Sequence, residues 1–333
     1  MRVNEAVEIV NGKLAATPSI SAFNGVATKI AEVKRGCLFI AKDPSEIDGA
    51  IALGAYGVVY DKYAQMVDGE IAWIRVDSIQ DAMIRLVRYQ FLRDNIEVFY
   101  VSAIEYAIAS QIITDTTIGF FDDGLEEILS FMSKQVGLRS VVIKDEALLS
   151  LVLEYTQAVI PQELPFKVLV ATLFDTKINY KLSHYTLKLP SLFLPELGSV
   201  IEMCVAHHIA FDLGRFCAIP YMCPYFINAH AHLVPYGQTD CVVVAEENIE
   251  LYKKYAAYIA SQAKWGKLVL LLPRGYGEVF DGIAPSEIYD SKDMLKELLM
   301  AKDYNFALIF GISEAELLEI LMIPHHEPTL MVF

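Results

Sequence analysis

Short apolar runs alternate with amphipathic segments along most of the chain. After a short opening helix in VNEAVEIVN, GCLFIA (36–41) reads as a strand that a polar turn at Asp43-Pro44-Ser45 closes. EIDGAIALGA (46–55) reads as helical turns stopped by Gly54, a helix C-terminal signal. GVVYD and IAWIRV (71–76) are strands by their β-branched and aromatic content. SIQDAMIRLVRYQFLRD (78–94) repeats apolar residues at helical spacing, with Ser78 placed as N-cap. Residues 1–95 therefore read as a compact α/β domain.

A second alternation begins after Asn95. IEVFYVS (96–102) reads as a buried strand and AIEYAIASQII (103–113) as a helix. GLEEILSFMSKQVG is a helix, RSVVIK a strand, and DEALLSLVLEYTQAV a helix capped by Asp145. FKVLVATLF leads into a hairpin over KINYKLSHYTLKL, where polar and apolar positions alternate. PYFINAH, CVVVAE, KLVLLLP and YNFALIFGI are strands, interleaved with helices over 247–266, 291–303 and 313–323. TLMVF at the end adds an edge strand. Strands alternating with helices pair in parallel through right-handed crossovers. Residues 96–333 are thus expected to form a larger layered α/β domain, covered on both faces.

Composition narrows the function classes. The 333 residues are 54% apolar, and mean hydropathy is +0.37, ample for a large core. The longest apolar runs are too short to span a bilayer as helices. Glu5 and Glu8 fall where a signal peptide needs an apolar stretch, so a cytoplasmic soluble protein is expected. A net charge of −15 argues against nucleic-acid binding, which needs a positive surface. The cysteines, Cys37, Cys204, Cys217, Cys223 and Cys241, are odd in number with no CxxC pair, and read as free thiols. Oligomeric state leaves no mark in the sequence.

Two stretches carry candidate chemistry. In an open α/β domain the first strand–turn–helix is the usual phosphate cradle. Here that element is VFYVSAIEYAIASQ: Val101, Ser102, Ala103, Glu105 and Ala107 supply no glycine and no lysine, and Glu105 would repel phosphate. No P-loop pattern occurs anywhere else, and GYGEVFDG (275–282) reads as a loop. The second stretch runs from Ser199 to Tyr236. It gathers Glu202, His207, His208, His230, His232 and three cysteines. His230 and His232, at the end of an apolar run, would share one face of a strand. Two readings stand side by side: paired polar residues of the fold, or a divalent metal held by Glu202, His230 and His232. His325-His326 reads as a surface loop, Lys253-Lys254 as a solvated helix face, and Trp73 as strand core.

These residues resemble the Mur ligases, bacterial ATP-dependent amide ligases of peptidoglycan precursor synthesis. VKRGCLFIA (33–41) is similar to the family's strand after its Asp-Ser-Arg motif, and AIALGAYGVVYD (50–61) to its helix ending in Gly-Ala. IEMC…AHH…P…INAHAHL resembles the Leu-Glu-Met-Gly and Pro-Ala-His-Leu segments, with Pro220 in register between them. The resemblance spans residues 20–245. It implies a small N-terminal domain (1–95) followed by a domain like the family's central one (96–333). It also implies that Glu202 and His232 correspond to magnesium ligands.

The departures are as informative. The family's P-loop falls on Val101–Ser110 without its glycines, lysine or threonines, and its Asp-Ser-Arg motif on Lys29-Ile30-Ala31. The loop that helps hold the UDP-sugar is shortened to Asp43–Asp48, and Asn228 is offset by one. The chain ends where the family begins its C-terminal domain. A family-like protein without catalysis is therefore expected, a pseudoenzyme needing no cofactor. Its partner would be a protein, an authentic Mur ligase or another cell-wall factor. The alternatives are a hydrolase using magnesium or zinc at Glu202, His230 and His232, and an active amide ligase borrowing a partner's nucleotide site.

Overall fold

A computed structural model describes residues 1–322 apart from 123, 135, 136, 150, 153, 281 and 302. His325-His326 and TLMVF lie outside the described residues. The chain packs into two compact units, Met1–Val159 with Met203–Phe211, and Ile160–Glu202 with Asp212–Phe333. The boundary drawn from sequence at 95/96 falls between two sheets of the first unit.

The first unit opens with α1 (Val3–Ile9), β1 (Lys13–Leu14), β2 (Gly25–Ala27) and β3 (Cys37–Ile40), then α2 (Ile47–Ala52), β4 (Gly57–Tyr60), β5 (Ala72–Arg75) and α3 (Ile79–Asp94). The strands form one sheet in the order β1-β5-β4-β3-β2, parallel except for the β1–β5 edge. The punctuation read from the sequence acts as expected. Gly54 takes a φ of +96° just past α2, a conformation a side chain would strain. Ser78 Oγ accepts the Asp81 N–H at 3.3 Å, capping α3. Trp73 is fully buried, with its indole N–H donated to the Asp68 carbonyl at 2.7 Å.

The same unit continues with β6 (Glu97–Tyr100), α4 (Ala103–Ile112), β7 (Ile118–Phe121), α5 (Leu125–Lys134), β8 (Ser140–Ile143), α6 (Glu146–Leu149) and β9 (Thr156–Gln157). These strands form an all-parallel sheet ordered β7-β8-β6-β9. One core takes Leu86, Val87 and Phe91 of α3 together with Val98 of β6, Phe121 of β7 and Leu129 of α5. Each such side chain removed from water stabilises by about 2 kcal/mol. The long helix expected from Asp145 is a single turn. Past it, Thr156 and Gln157 pair with β6 and the Ala158 N–H bonds the Tyr100 carbonyl at 2.9 Å. Sheet pairing has overridden helical spacing there.

The second unit has an antiparallel sheet of β10 (Lys167–Ala171), β11 (Thr176–Tyr180) and β12 (Ser183–Leu187). The expected hairpin turns through Lys181 and Leu182, both at positive φ. Next come α7 (Leu194–Ala206), through which the division between units runs, and β13 (Tyr225–Phe226), β14 (Val242–Glu246) and α8 (Ile249–Gln262). The rest is β15 (Leu268–Pro273), β16 (Ser286–Tyr289), α9 (Lys292–Met300), β17 (Phe306–Phe310) and α10 (Glu314–Met322). The sheet order is β13-β14-β17-β15-β16, parallel except at the β13 edge. Val243, Leu271 and Ile309 from its strands pack with Leu295, Leu317 and Ile320 of α9 and α10. Lys254 is not simply solvated: its Nζ bonds Glu196, whose side chain is mostly buried, at 2.9 Å. Among the described residues no helix is long and apolar enough to cross a membrane.

Candidate functional site

The strand–turn–helix expected to hold phosphate is β6–α4, and only Val101 and Ser102 separate the two elements. A helix leaves its first backbone N–H groups without intrahelical partners, and these bind phosphate in nucleotide sites. Here the sequence supplies its own acceptors. Ser102 Oγ accepts the Glu105 N–H at 3.2 Å, and Glu105 Oε2 accepts the Ser102 N–H at 2.7 Å. This is a reciprocal capping box, and Glu105 is 5% exposed. A buried carboxylate occupies the place where an anionic ligand would bind. Ala103 and Ala107 lie on α4 and donate no side-chain hydrogen bond.

A cleft of about 910 Å³ opens in the first unit, beside the ends of both its sheets. Lys42 and Asp61 line it just after β3 and β4, and Gly124 and Asp145 just after β7 and β8. Carboxyl ends of parallel strands are where open α/β folds place ligands. Lys29, on the segment that aligns with the Asp-Ser-Arg motif, is also part of the lining. Lys42 Nζ pairs with Glu126 at 2.6 Å. Asp61 accepts the Ile79 N–H at 3.4 Å, and Asp145 accepts the Ala147 N–H at 2.9 Å. Ile79, Met83, Leu148 and Leu151 give an apolar floor. Among the described residues the lining sets two lysines, Lys29 and Lys42, beside the carboxylates of Asp61, Glu126, Glu127 and Asp145. In the sequence Asp145 reads only as a helix cap and Lys29 only as a departure from a motif, and Lys42 and Asp61 pass unremarked. The signal was there, in a charged residue directly after each apolar strand, FIAK, VVYD and VVIKD.

The second candidate stretch is less assembled than its residue content promised. Glu202 is exposed on α7. His208, at φ +54°, ends that helix, and Cys204 is buried with its thiol pushed up to about 12 by desolvation. His207 packs edge-on against Phe99, centroids 4.6 Å apart, with Nδ1 3.9 Å from Glu97. His230 and His232 are exposed, and their rings are 6.3 Å apart. They are not on a strand. The run expected as PYFINAH stops at Phe226, because Asn228 folds the backbone into a turn. Its Oδ1 accepts the N–H groups of His230 (2.9 Å) and His232 (3.1 Å), and Ala231 takes φ +53°. Among the described residues no three His, Cys, Asp or Glu side chains gather so as to hold a metal ion. None of the five cysteines is joined in a disulfide, and Cys37, Cys204 and Cys241 are buried.

No family model matches the sequence, and no curated protein matches it. Solved structures do. MurF from Acinetobacter baumannii matches over 96% of this chain and 97% of that one, with TM-score 0.56 and 9% identity. MurF ligase from Thermotoga maritima, in complex with ADP, matches over 89% and 96%, with TM-score 0.54 and 12% identity. The UDP-N-acetylmuramoylalanyl-D-glutamyl-2,6-diaminopimelate–D-alanyl-D-alanyl ligase of A. baumannii matches over 96% and 97%, with TM-score 0.53 and 9% identity. The molecule is an α/β protein of several parallel and mixed sheets. Its fold is Mur-ligase-like. The likeness takes in nearly the whole length of the MurF chains.

Proposed function

We propose that this chain is a pseudoenzyme on a Mur-ligase-like fold, acting in the bacterial cytoplasm beside peptidoglycan precursor synthesis. Its work is to bind or scaffold a protein partner, an authentic Mur ligase or another cell-wall factor. The single observation that carries this is the self-capped start of α4. Glu105 and Ser102 occupy two of the N–H groups at the turn where a phosphate loop must leave them open. One similar structure is of a MurF ligase in complex with ADP. In this chain the corresponding turn carries a buried negative charge, and bringing ATP there would set like charges together without a lysine to offset them. On this reading no cofactor is needed, and Glu202, His230 and His232 are solvated polar positions rather than magnesium or zinc ligands. The strand-end cleft with Lys29, Lys42, Asp61 and Asp145 is the surface left for a ligand or partner segment.

Calorimetric titration with ATP, with and without magnesium, tests this. The expected result is no saturable binding up to millimolar nucleotide. Tight, magnesium-dependent ATP binding would overturn it.

A further inference from the structure

We infer that the second unit carries a recognition groove for a basic side chain, an arginine or lysine on an extended segment of a partner protein. The groove holds about 510 Å³ and lies where the turn after β10 meets the start of β14 and the end of α8. Its walls are aromatic. Phe226 and Tyr236 are in contact at 4.7 Å between centroids, and Trp265 meets Phe306 edge-on at 5.5 Å. Trp265 is 72% exposed and Tyr236 60%, unusual for rings of this size in a chain with ample core to bury them. Two carboxylates share the lining. Asp175 accepts the Tyr236 hydroxyl, which ties the far end of that ring to the groove. Asp240 accepts from the Asn305 side chain at 3.3 Å and is otherwise open to solvent on the exposed surface. Among the described residues that line the groove, none is Lys, Arg or His.

This composition selects the occupant by charge. Ring faces carry negative quadrupole potential, and carboxylates beside them add full charge, so the groove attracts a cation with a flat or apolar body. Guanidinium stacks on Trp and Tyr faces and pairs with carboxylate through its N–H fork. A phosphate or carboxylate ligand would face two carboxylates with no cationic side chain among the described residues of the lining to offset them. The strand leading into the groove, β10, exposes Leu169 and Val170, an apolar shoulder for the residues that flank such a side chain. The surrounding net charge of −15 favours approach of a basic segment over long range. The inference rests on the binding role proposed above and adds the chemistry of the partner. ATP titration tests that role and peptide titration tests the groove, so the two fail separately.

Trp265 is a built-in reporter, because the other tryptophan, Trp73, is fully buried. The full chain is titrated with acetyl-Gly-Arg-Gly-Arg-Gly-amide and with the peptide in which citrulline replaces arginine, following tryptophan emission. Expected is a saturable change with the arginine peptide and at least tenfold weaker binding of the citrulline peptide. Tyr236→Ala and the double variant Asp175→Asn/Asp240→Asn should each weaken the arginine peptide at least tenfold, and Asp293→Asn, an exposed charge on α9, should not. If Tyr236→Ala does not fold, the Asn double variant decides. An equal response to citrulline overturns the groove, as does an equal loss in Asp293→Asn. So does the absence of any saturable response to the arginine peptide.

Discussion

Glu105 and Ser102 cap each other across the first turn of α4, carboxylate to N–H at 2.7 Å and N–H to hydroxyl at 3.2 Å. The pair places a buried carboxylate and a hydroxyl on two N–H groups at the turn where an anion would bind. Ser102→Ala and Glu105→Ala should each lower stability by about 1 kcal/mol in urea unfolding, the usual worth of a cap. Glu105→Gln should cost less, since its amide oxygen can accept the same N–H. None of the three should bind magnesium-ATP. Gain of nucleotide binding in Glu105→Ala would show that the carboxylate merely shields an intact phosphate site.

Asn228 is a stronger structural residue than the histidines it arranges. It fixes the turn through two side-chain hydrogen bonds, whereas His230 and His232 reach into solvent. Asn228→Ala should destabilise by about 1–2 kcal/mol, the cost of unpairing backbone donors. His230→Ala and His232→Ala should each stay within about 0.5 kcal/mol of the parent. Elemental analysis of untagged protein should find no stoichiometric zinc or magnesium, with or without His232. Bound metal that is lost on His232→Ala would restore the hydrolase reading.

The residues that were legible in the sequence are those whose role is local. Ser78 caps α3, Gly54 stops α2, and alternating apolar runs became β3, β4, β6 and β15. What failed to show depended on partners far along the chain. β7 is only Ile-Gly-Phe-Phe, and its central glycine lowers strand propensity. That glycine is kept because a side chain there would crowd Phe131 and Leu138 at 3.2–3.3 Å. Residues after Asp145 have helical spacing, yet Thr156 and Gln157 answer to the open edge of β6. His230 and His232 looked like a strand pair because the preceding residues are apolar, and Asn228 decides otherwise. Lys42, Asp61 and Asp145 come together only through the sheet order, which single segments do not encode.

The β11–β12 hairpin turns on two residues that resist its geometry. Lys181 and Leu182 take φ values of +45° and +69°, and Leu182 is 95% exposed. Two-residue turns of this kind favour Asn-Gly, because left-handed backbone strains residues with larger side chains. Replacing Leu182 with Gly loses no burial and should raise stability by about 1 kcal/mol, seen as a higher urea midpoint. An unchanged or lower midpoint would mean that the leucine side chain contributes through a contact in a complex or through the unfolded chain.

Asp115 should confer an acid-sensitive share of stability on the first unit. Its carboxyl accepts the Thr117 hydroxyl at 2.6 Å and the Thr117 N–H at 2.9 Å, and these bonds hold it below the usual carboxylate range, with Arg139 at 4.0 Å adding to the effect. A group depressed in the folded state releases its proton more readily there than in the unfolded chain. The stability it adds is therefore fully present above the unfolded value of about 3.9, and is lost as pH falls toward the folded one. Asp115→Asn keeps an acceptor oxygen but cannot titrate. Urea midpoints of the parent and Asp115→Asn, measured at pH 7, 5, 4 and 3, should differ by a constant gap above about pH 5 and converge below about pH 4. A gap that stays constant down to pH 3 would show that the Thr117 bonds stabilise the protonated and ionised carboxyl alike.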